Sequence, residues 1–199
     1  MNPASSFEDA FQWILEAEGP DTNDPDDPGG LTRFGIAQKR HPEVDVATLT
    51  EEDAKRIYRE QYWDQIHGDE LPPVLALVVF DGAVVQGVGR SIFCLQEALG
   101  VETDGLVGPK TVAAAFEQGL GVLTKFLSLR AHAYMDLVIR KPVMLKYLKG
   151  WIGRLIRVRQ RALRLWGDSQ TSHFYQEACT CADTGTVVDS QNPSIDPDL

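Results

Sequence analysis

Cysteine is scarce in this chain, with only Cys94, Cys179 and Cys181. An odd number, two of them in a polar tail, excludes a disulfide framework, and the Cys179-x-Cys181 pair lacks the further ligands of a metal site. This usage suits a protein made in a reducing compartment. Long apolar runs are missing too, because no segment approaches the roughly 20 residues of a membrane span. The opening MNPASSFEDAF carries no basic-plus-apolar leader. The expectation is therefore synthesis in a (host) cytoplasm without a signal peptide, with another factor releasing the protein if its substrate lies outside. His41, His67, His132 and His173 are scattered without metal-ligand spacing, and no metal or cofactor is implied. Neither an internal repeat nor any Lys or Arg after residue 167 is found.

What is present is an uneven charge. The 199 residues sum to −10, but residues 1–81 hold 6 basic and 18 acidic side chains, whereas residues 82–167 hold 13 against 5. Residues 168–199 add 6 acids and no base. An acidic end and a basic end are expected on the surface. The acidic total argues against nucleic acid as the main partner. At 43% hydrophobic and 24% charged the composition is that of a soluble globular protein with one well-buried core.

Phe7, Ala10, Phe11, Ile14 and Leu15 recur at three- and four-residue steps, which predicts a helix ending at Glu18 before Gly19-Pro20, with Ser5 or Ser6 as its cap. A loop over 21–30 follows, then a short helix from Phe34 to Arg40. Thr50-Glu-Glu-Asp opens another helix, since a carboxylate stands three residues after the cap. The run Val74–Val85 behind Pro72-Pro73 suits a buried helix, though its valines also allow a strand pair. Leu95 to Thr111 reads as helix, tight turn, helix. Val122–Val138 and Met144–Trp166 are helices, the latter with an apolar stripe and Arg154, Arg157, Arg161 and Arg164 on another face. After Gly167 the composition turns to Ser, Thr, Asp, Gln and Pro, and 168–199 reads as an acidic, mostly disordered tail.

The chemistry concentrates in Ile14–Ile36, where Glu18, Asp27 and Thr32 surround a Gly-, Pro- and Asp-rich loop. Cleaving a glycosidic bond needs a protonated acid on the leaving oxygen and a carboxylate that positions water or stabilises the oxocarbenium-like transition state. Glu18 suits the acid, because a helix C-terminus is the negative end of the macrodipole and favours the proton-bearing form. Asp27 in a hydrogen-bonding loop suits the ionised partner, and Thr32 can hold water through its hydroxyl. Arg33 can instead pair with Asp27 or Asp24 and merely brace the loop. The bland alternative is a solvated Glu18 beside a loop that binds nothing, or a stray calcium on Asp24, Asp26 and Asp27.

Glu18-Gly19, Asn23-Asp24-Pro25-Asp26-Asp27-Pro28-Gly29-Gly30, Thr32 and Gly35-Ile36 together resemble the N-terminal motif of glycoside hydrolase family 108, the lysozyme-like N-acetylmuramidases often encoded by bacteriophages or linked to secretion. The resemblance implies that Glu18 is the catalytic acid, with Asp27 assigned by spacing. The glutamate–aspartate–threonine order is also similar to that of phage-type lysozymes. Leu95-Gln96, Asp104-Gly105, Gly108-Pro109 and Thr111 resemble the predicted peptidoglycan-binding region that follows in the same proteins. The two resemblances cover about residues 7–166. One departure stands out: Pro20 and Asp21 occupy positions where the family commonly has a second glycine and an aromatic. Proline fixes its φ and lacks an N–H, so a different cleft edge is expected there.

Three further positions are candidates for substrate binding. Tyr62 and Trp63 can stack on sugar rings, or belong to the core with Tyr58. Asp81 is a lone carboxylate in an apolar run, which must be paired, hydrogen-bonded or at a cleft. The cationic face of 144–166 suits a solvated amphipathic helix, a membrane or lipopolysaccharide surface, or anionic wall polymers.

The expected fold is all-α and lysozyme-like, with a catalytic loop between the first two helices and room for a minor β-hairpin. Residues 1–79 are expected to form the catalytic segment and 80–167 a peptidoglycan-binding-like segment in the same body. The implied function is hydrolysis of the β-1,4 bond between N-acetylmuramic acid and N-acetylglucosamine by an endolysin that a holin-like partner lets reach the periplasmic wall. Its rivals are a lytic transglycosylase on the same bond, a non-catalytic wall-binding protein and, more weakly, a chitinase-like activity.

Overall fold

Every turn of the run after Pro72-Pro73 is apolar, and it folds as a helix, not as a strand pair. This helix, α3 (Pro73–Gln86), is buried from Val74 to Ala83. The computed structural model describes residues 3–19, 31–39, 41–118 and 120–183, with side chains described over 6–19 and onward to 167. A helix apolar on all sides needs cover on all sides. Here α1 (Pro3–Glu18), α4 (Val88–Leu99) and α6 (Gly121–Arg140) supply it. The α1 helix starts at Pro3, so Ser5 and Ser6 lie inside it instead of capping it.

Between α1 and α2 (Glu51–Tyr58) lies a two-stranded antiparallel sheet, β1 (Thr32–Arg33) and β2 (Ile36–Ala37), with Thr32 opposite Ala37 and Arg33 opposite Ile36. The helix expected from Phe34 is thus a hairpin. Its two turn residues, Phe34 at φ 52° and Gly35 at φ 77°, both take the positive values of a two-residue hairpin turn. An aromatic residue rarely stays there. The Tyr58 hydroxyl, donating to the Phe34 carbonyl at 3.1 Å, and the Arg33 guanidinium 5.2 Å over the Phe34 ring hold it. Arg33 also donates to the Ala47 carbonyl at 3.1 Å.

Thr50 caps α2 by accepting from the Asp53 N–H at 3.1 Å. Past Tyr58 the helix widens into a π turn over Arg59–Trp63, a feature that shifts side chains around the axis. Within it Tyr62 stays half-buried while Trp63 is enclosed. Trp63 is fully buried against Phe7 and Phe80, and its indole N–H donates to Asp69 at 3.0 Å. Gly68 lies flat on that ring, where a Cβ would come within 2.4 Å of Trp63 Cε2.

An elbow at Gly87 (φ 93°) turns α3 into α4. The turn between α4 and α5 (Pro109–Gln118) is stapled by buried Gln96. Its amide donates to Asp104 at 2.7 Å and to the Leu106 carbonyl at 3.0 Å, and accepts from the Gly105 N–H at 2.9 Å. The Gln96–Asp104–Gly105 part of the motif therefore builds the turn.

The last helix, α7 (Leu145–Asp183), runs past Gly167, where composition predicted the helical part to stop. A single glycine costs a helix only about 1 kcal/mol, and no proline follows before Pro193. The chain divides into two compact units, Met1–Leu165 and Trp166–Leu199, and the described part of the second is the end of α7.

Candidate active site

Glu18 is the last residue of α1, and Gly19 at φ 82° ends the helix in the left-handed conformation. Its side chain, 29% exposed, borders a cleft of about 650 Å³. The hairpin turn presses on it from one side. A Cβ on Gly35 would stand 2.7 Å from Glu18 Cγ and 2.7 Å from the Tyr58 hydroxyl, so only glycine lets the turn come this close.

From the other side comes Arg154 of α7, whose Nη1 donates to Glu18 Oε1 at 2.6 Å. No bond from a described residue reaches the other carboxyl oxygen. Arg154 is itself anchored beneath, through Nε to Asp81 Oδ1 at 2.8 Å. Asp81 has no exposed surface. It also accepts from the Trp13 indole at 2.9 Å and from Arg130 Nη1 at 2.8 Å, and Arg130 in turn donates from Nε to Gln86 Oε1 at 2.6 Å. Residues of α1, α3, α6 and α7 thus meet in one chain of charges, Glu18–Arg154–Asp81–Arg130, which ends on the neutral amide of Gln86.

Burial pushes the Asp81 carboxyl up, but the Arg130 and Arg154 guanidiniums and the Trp13 N–H outweigh it and hold its pKa below the ordinary 3.8. A carboxylate with a depressed folded pKa stabilises the fold above its unfolded value and loses that contribution as pH falls through the folded one. Stability should therefore hold from neutrality to about pH 5 and drop below about pH 4. Chemical denaturation at stepped pH checks this. The acid-side slope should shrink in Asp81→Asn, and an unchanged slope would clear Asp81 of the effect.

Of the residues singled out from sequence, Glu18 and Tyr62 border the cleft. Thr32 lies in β1, opposite Ala37, which lines the cleft from β2. Asp27 falls outside the described residues. Two expectations of substrate contact are corrected. Trp63 has no exposed face for a sugar, and Asp81 is sealed in the interior with its oxygens bound to Trp13, Arg130 and Arg154. The expected cationic face of α7 is divided: Arg154 is 8% exposed and turned inward, while Arg157, one turn on, lines the cleft.

Sequence reasoning missed Arg154 and Arg130 as members of the site. The signal was there, because Trp151, Arg154, Val158 and Ala162 follow at steps of three and four, placing Arg154 on the apolar stripe. Arg130 likewise stands four residues from Phe126 and from Tyr134, on one buried face of α6.

Residues 11–87 match the family model described as Glycosyl hydrolase 108, and residues 90–156 that described as a Predicted Peptidoglycan domain. The fold is similar to the solved structure of SagA from Brucella abortus, with a TM-score of 0.69 and 32% identity over 81% of this chain and 95% of that one. The chain belongs to glycosyl hydrolase family 108. No relative matches among the curated proteins. As a family 108 protein with a peptidoglycan domain it is a peptidoglycan hydrolase of the glycoside hydrolase type. The two matched regions part at the Gly87 elbow, yet they share the cleft. Glu18, Tyr62 and Gln86 come from the first, and Arg90, Arg140 and Arg154 from the second. In this family 108 chain the peptidoglycan region is a wall of the site.

Proposed function

We propose that the protein is an N-acetylmuramidase that hydrolyses the β-1,4 bond between N-acetylmuramic acid and N-acetylglucosamine. The observation that supports it best is the placing of Glu18: a carboxyl at a helix end, open to the cleft through one oxygen and oriented through the other by Arg154. In this reading Glu18 hands its proton to the leaving glycosidic oxygen as the C–O bond breaks. Asp27 and Thr32 orient a water whose oxygen bonds to the anomeric carbon, and its proton leaves to the base. Tyr62, its ring tilted against that of Tyr58 at 5.7 Å, offers a ring to a sugar at the cleft edge. Product mass analysis on purified murein tests the reading. Reducing N-acetylmuramic acid ends are expected; 1,6-anhydro ends would make the protein a lytic transglycosylase, and reducing N-acetylglucosamine ends would move the cut to the other bond.

The hairpin gives a second handle. Gly35→Ala should cost about 1–2 kcal/mol from the positive φ alone. It should also push Glu18 aside, lowering murein cleavage ~10-fold or more. Thermal melts run beside a turbidity assay read both, and full activity would show that the turn does not position Glu18.

The biological setting that fits is an endolysin of a bacteriophage, made in the host cytoplasm and released to the periplasmic wall through a holin-like partner for host lysis. None of the described helices is long and apolar enough to cross a membrane. With Arg154 turned inward, a membrane or lipopolysaccharide contact would fall to exposed residues of α7 such as Lys146, Lys149 and Arg164.

A further inference from the structure

The cleft is cationic in a protein of net charge −10. Four arginines line it, Arg90 on α4, Arg140 at the end of α6, and Arg154 and Arg157 on α7. Glu18 is the one carboxylate among its described lining residues, and it is bound to Arg154. Arg154 is further neutralised by Asp81. The remaining three are exposed, and no described acid pairs with any of them. Arg140 donates only to the Asp136 carbonyl of its own helix, at 3.2 Å. Between residues 137 and 167 the chain has no acid at all.

Cleavage of a neutral sugar bond does not itself call for three cations that no described acid balances. Repulsion among like charges costs stability, and a cleft lined by one sign of charge draws in a ligand of the other. Planar guanidiniums bind carboxylates through paired N–H donors. In a peptidoglycan strand the sugar rings are uncharged, and the free carboxylates sit on the stem peptides carried by N-acetylmuramic acid. We propose that Arg90, Arg140 and Arg157 form an anion-reading wall that binds stem-peptide carboxylates, so that the protein cuts peptide-bearing glycan in preference to bare glycan. The inference rests on the hydrolase reading and adds the substituent that the site selects. The arginines act on the substrate's side groups, away from the reacting bond.

The test compares soluble murein strands that keep their peptides with the same strands stripped by an amidase, the lactyl carboxylates that stripping frees being then converted to neutral amides, using reducing-end release as readout. The native protein should favour the peptide-bearing strands by ~10-fold or more in kcat/KM, the scale of a few partly exposed charge pairs acting together. In R90Q/R140Q/R157Q that ratio should fall to within about threefold of one. A second measurement needs no variant. Raising salt from about 0.02 M to about 0.5 M should shrink the native ratio, because exposed charge pairs are screened over that range. Equal cleavage of both strands by the native protein, or a ratio that survives the triple substitution or the added salt, would overturn the anion-reading wall alone. Cleavage of neither strand would remove the hydrolase reading and the wall with it.

Discussion

Asp81→Ala is expected to lower the unfolding free energy by about 3–5 kcal/mol, the usual loss when one partner of a buried ion pair is removed. The reason lies in what remains. Arg130 has no exposed surface and Arg154 only 8%, and both lose the carboxylate that balances them. Trp13 loses its acceptor as well. Against a total stability of ~5–15 kcal/mol this is a large fraction, and in a chain of this size it corresponds to a melting shift of roughly 10 °C. Calorimetry of native and variant protein decides the matter. A shift under about 1 kcal/mol would mean that the arginines find other partners and that the charge chain does not hold the helices together.

Glu18→Gln should lower murein cleavage at least ~10²-fold, the ordinary scale for removing a general acid. The amide keeps the oxygen that accepts from Arg154 but has no proton to give to the leaving sugar. Because Glu18 is 29% exposed and Arg154 keeps Asp81, the stability change should stay within about 1 kcal/mol. The pairing of a large kinetic loss with a small thermal one separates this position from Asp81, whose loss is mainly structural. Turnover within a few-fold of native would defeat the assignment, and retained binding to sacculi without cleavage would support it.

Most of the helical frame was legible because its signals are local. The α1 helix carries its own apolar steps and its own stop at Gly19, and Thr50 announces α2. A minor hairpin was expected, but its place at Thr32–Ala37 was not legible, since strands of two residues have no periodicity to read and Phe34 takes a backbone conformation that its type seldom adopts. Glu18 was found from chemistry and spacing, but its partner was not. Arg154 lies 136 positions away, and nothing local tells a solvated arginine from one folded inward. Asp81 came nearest to revealing it. A lone acid in an apolar run demands a buried cation, and residues 82–167 hold the surplus of base that supplies two. Trp63 went the other way: it is enclosed in the core while Tyr62, its neighbour in the chain, borders the cleft, and two adjacent aromatics do not show in sequence which of them faces inward.

Catalysis as proposed depends on one geometry, in which the 11–87 region and the 90–156 region close a single cleft over Glu18. A crystal structure of Glu18→Gln with a peptide-bearing murein tetrasaccharide examines it directly. Sugar is expected between Tyr62 and Arg157, with a glycosidic oxygen within hydrogen-bonding distance of the amide at position 18. Sugar seated only on the outer surface of the 90–156 region, with that amide untouched, would rule out the shared cleft as the site of cleavage.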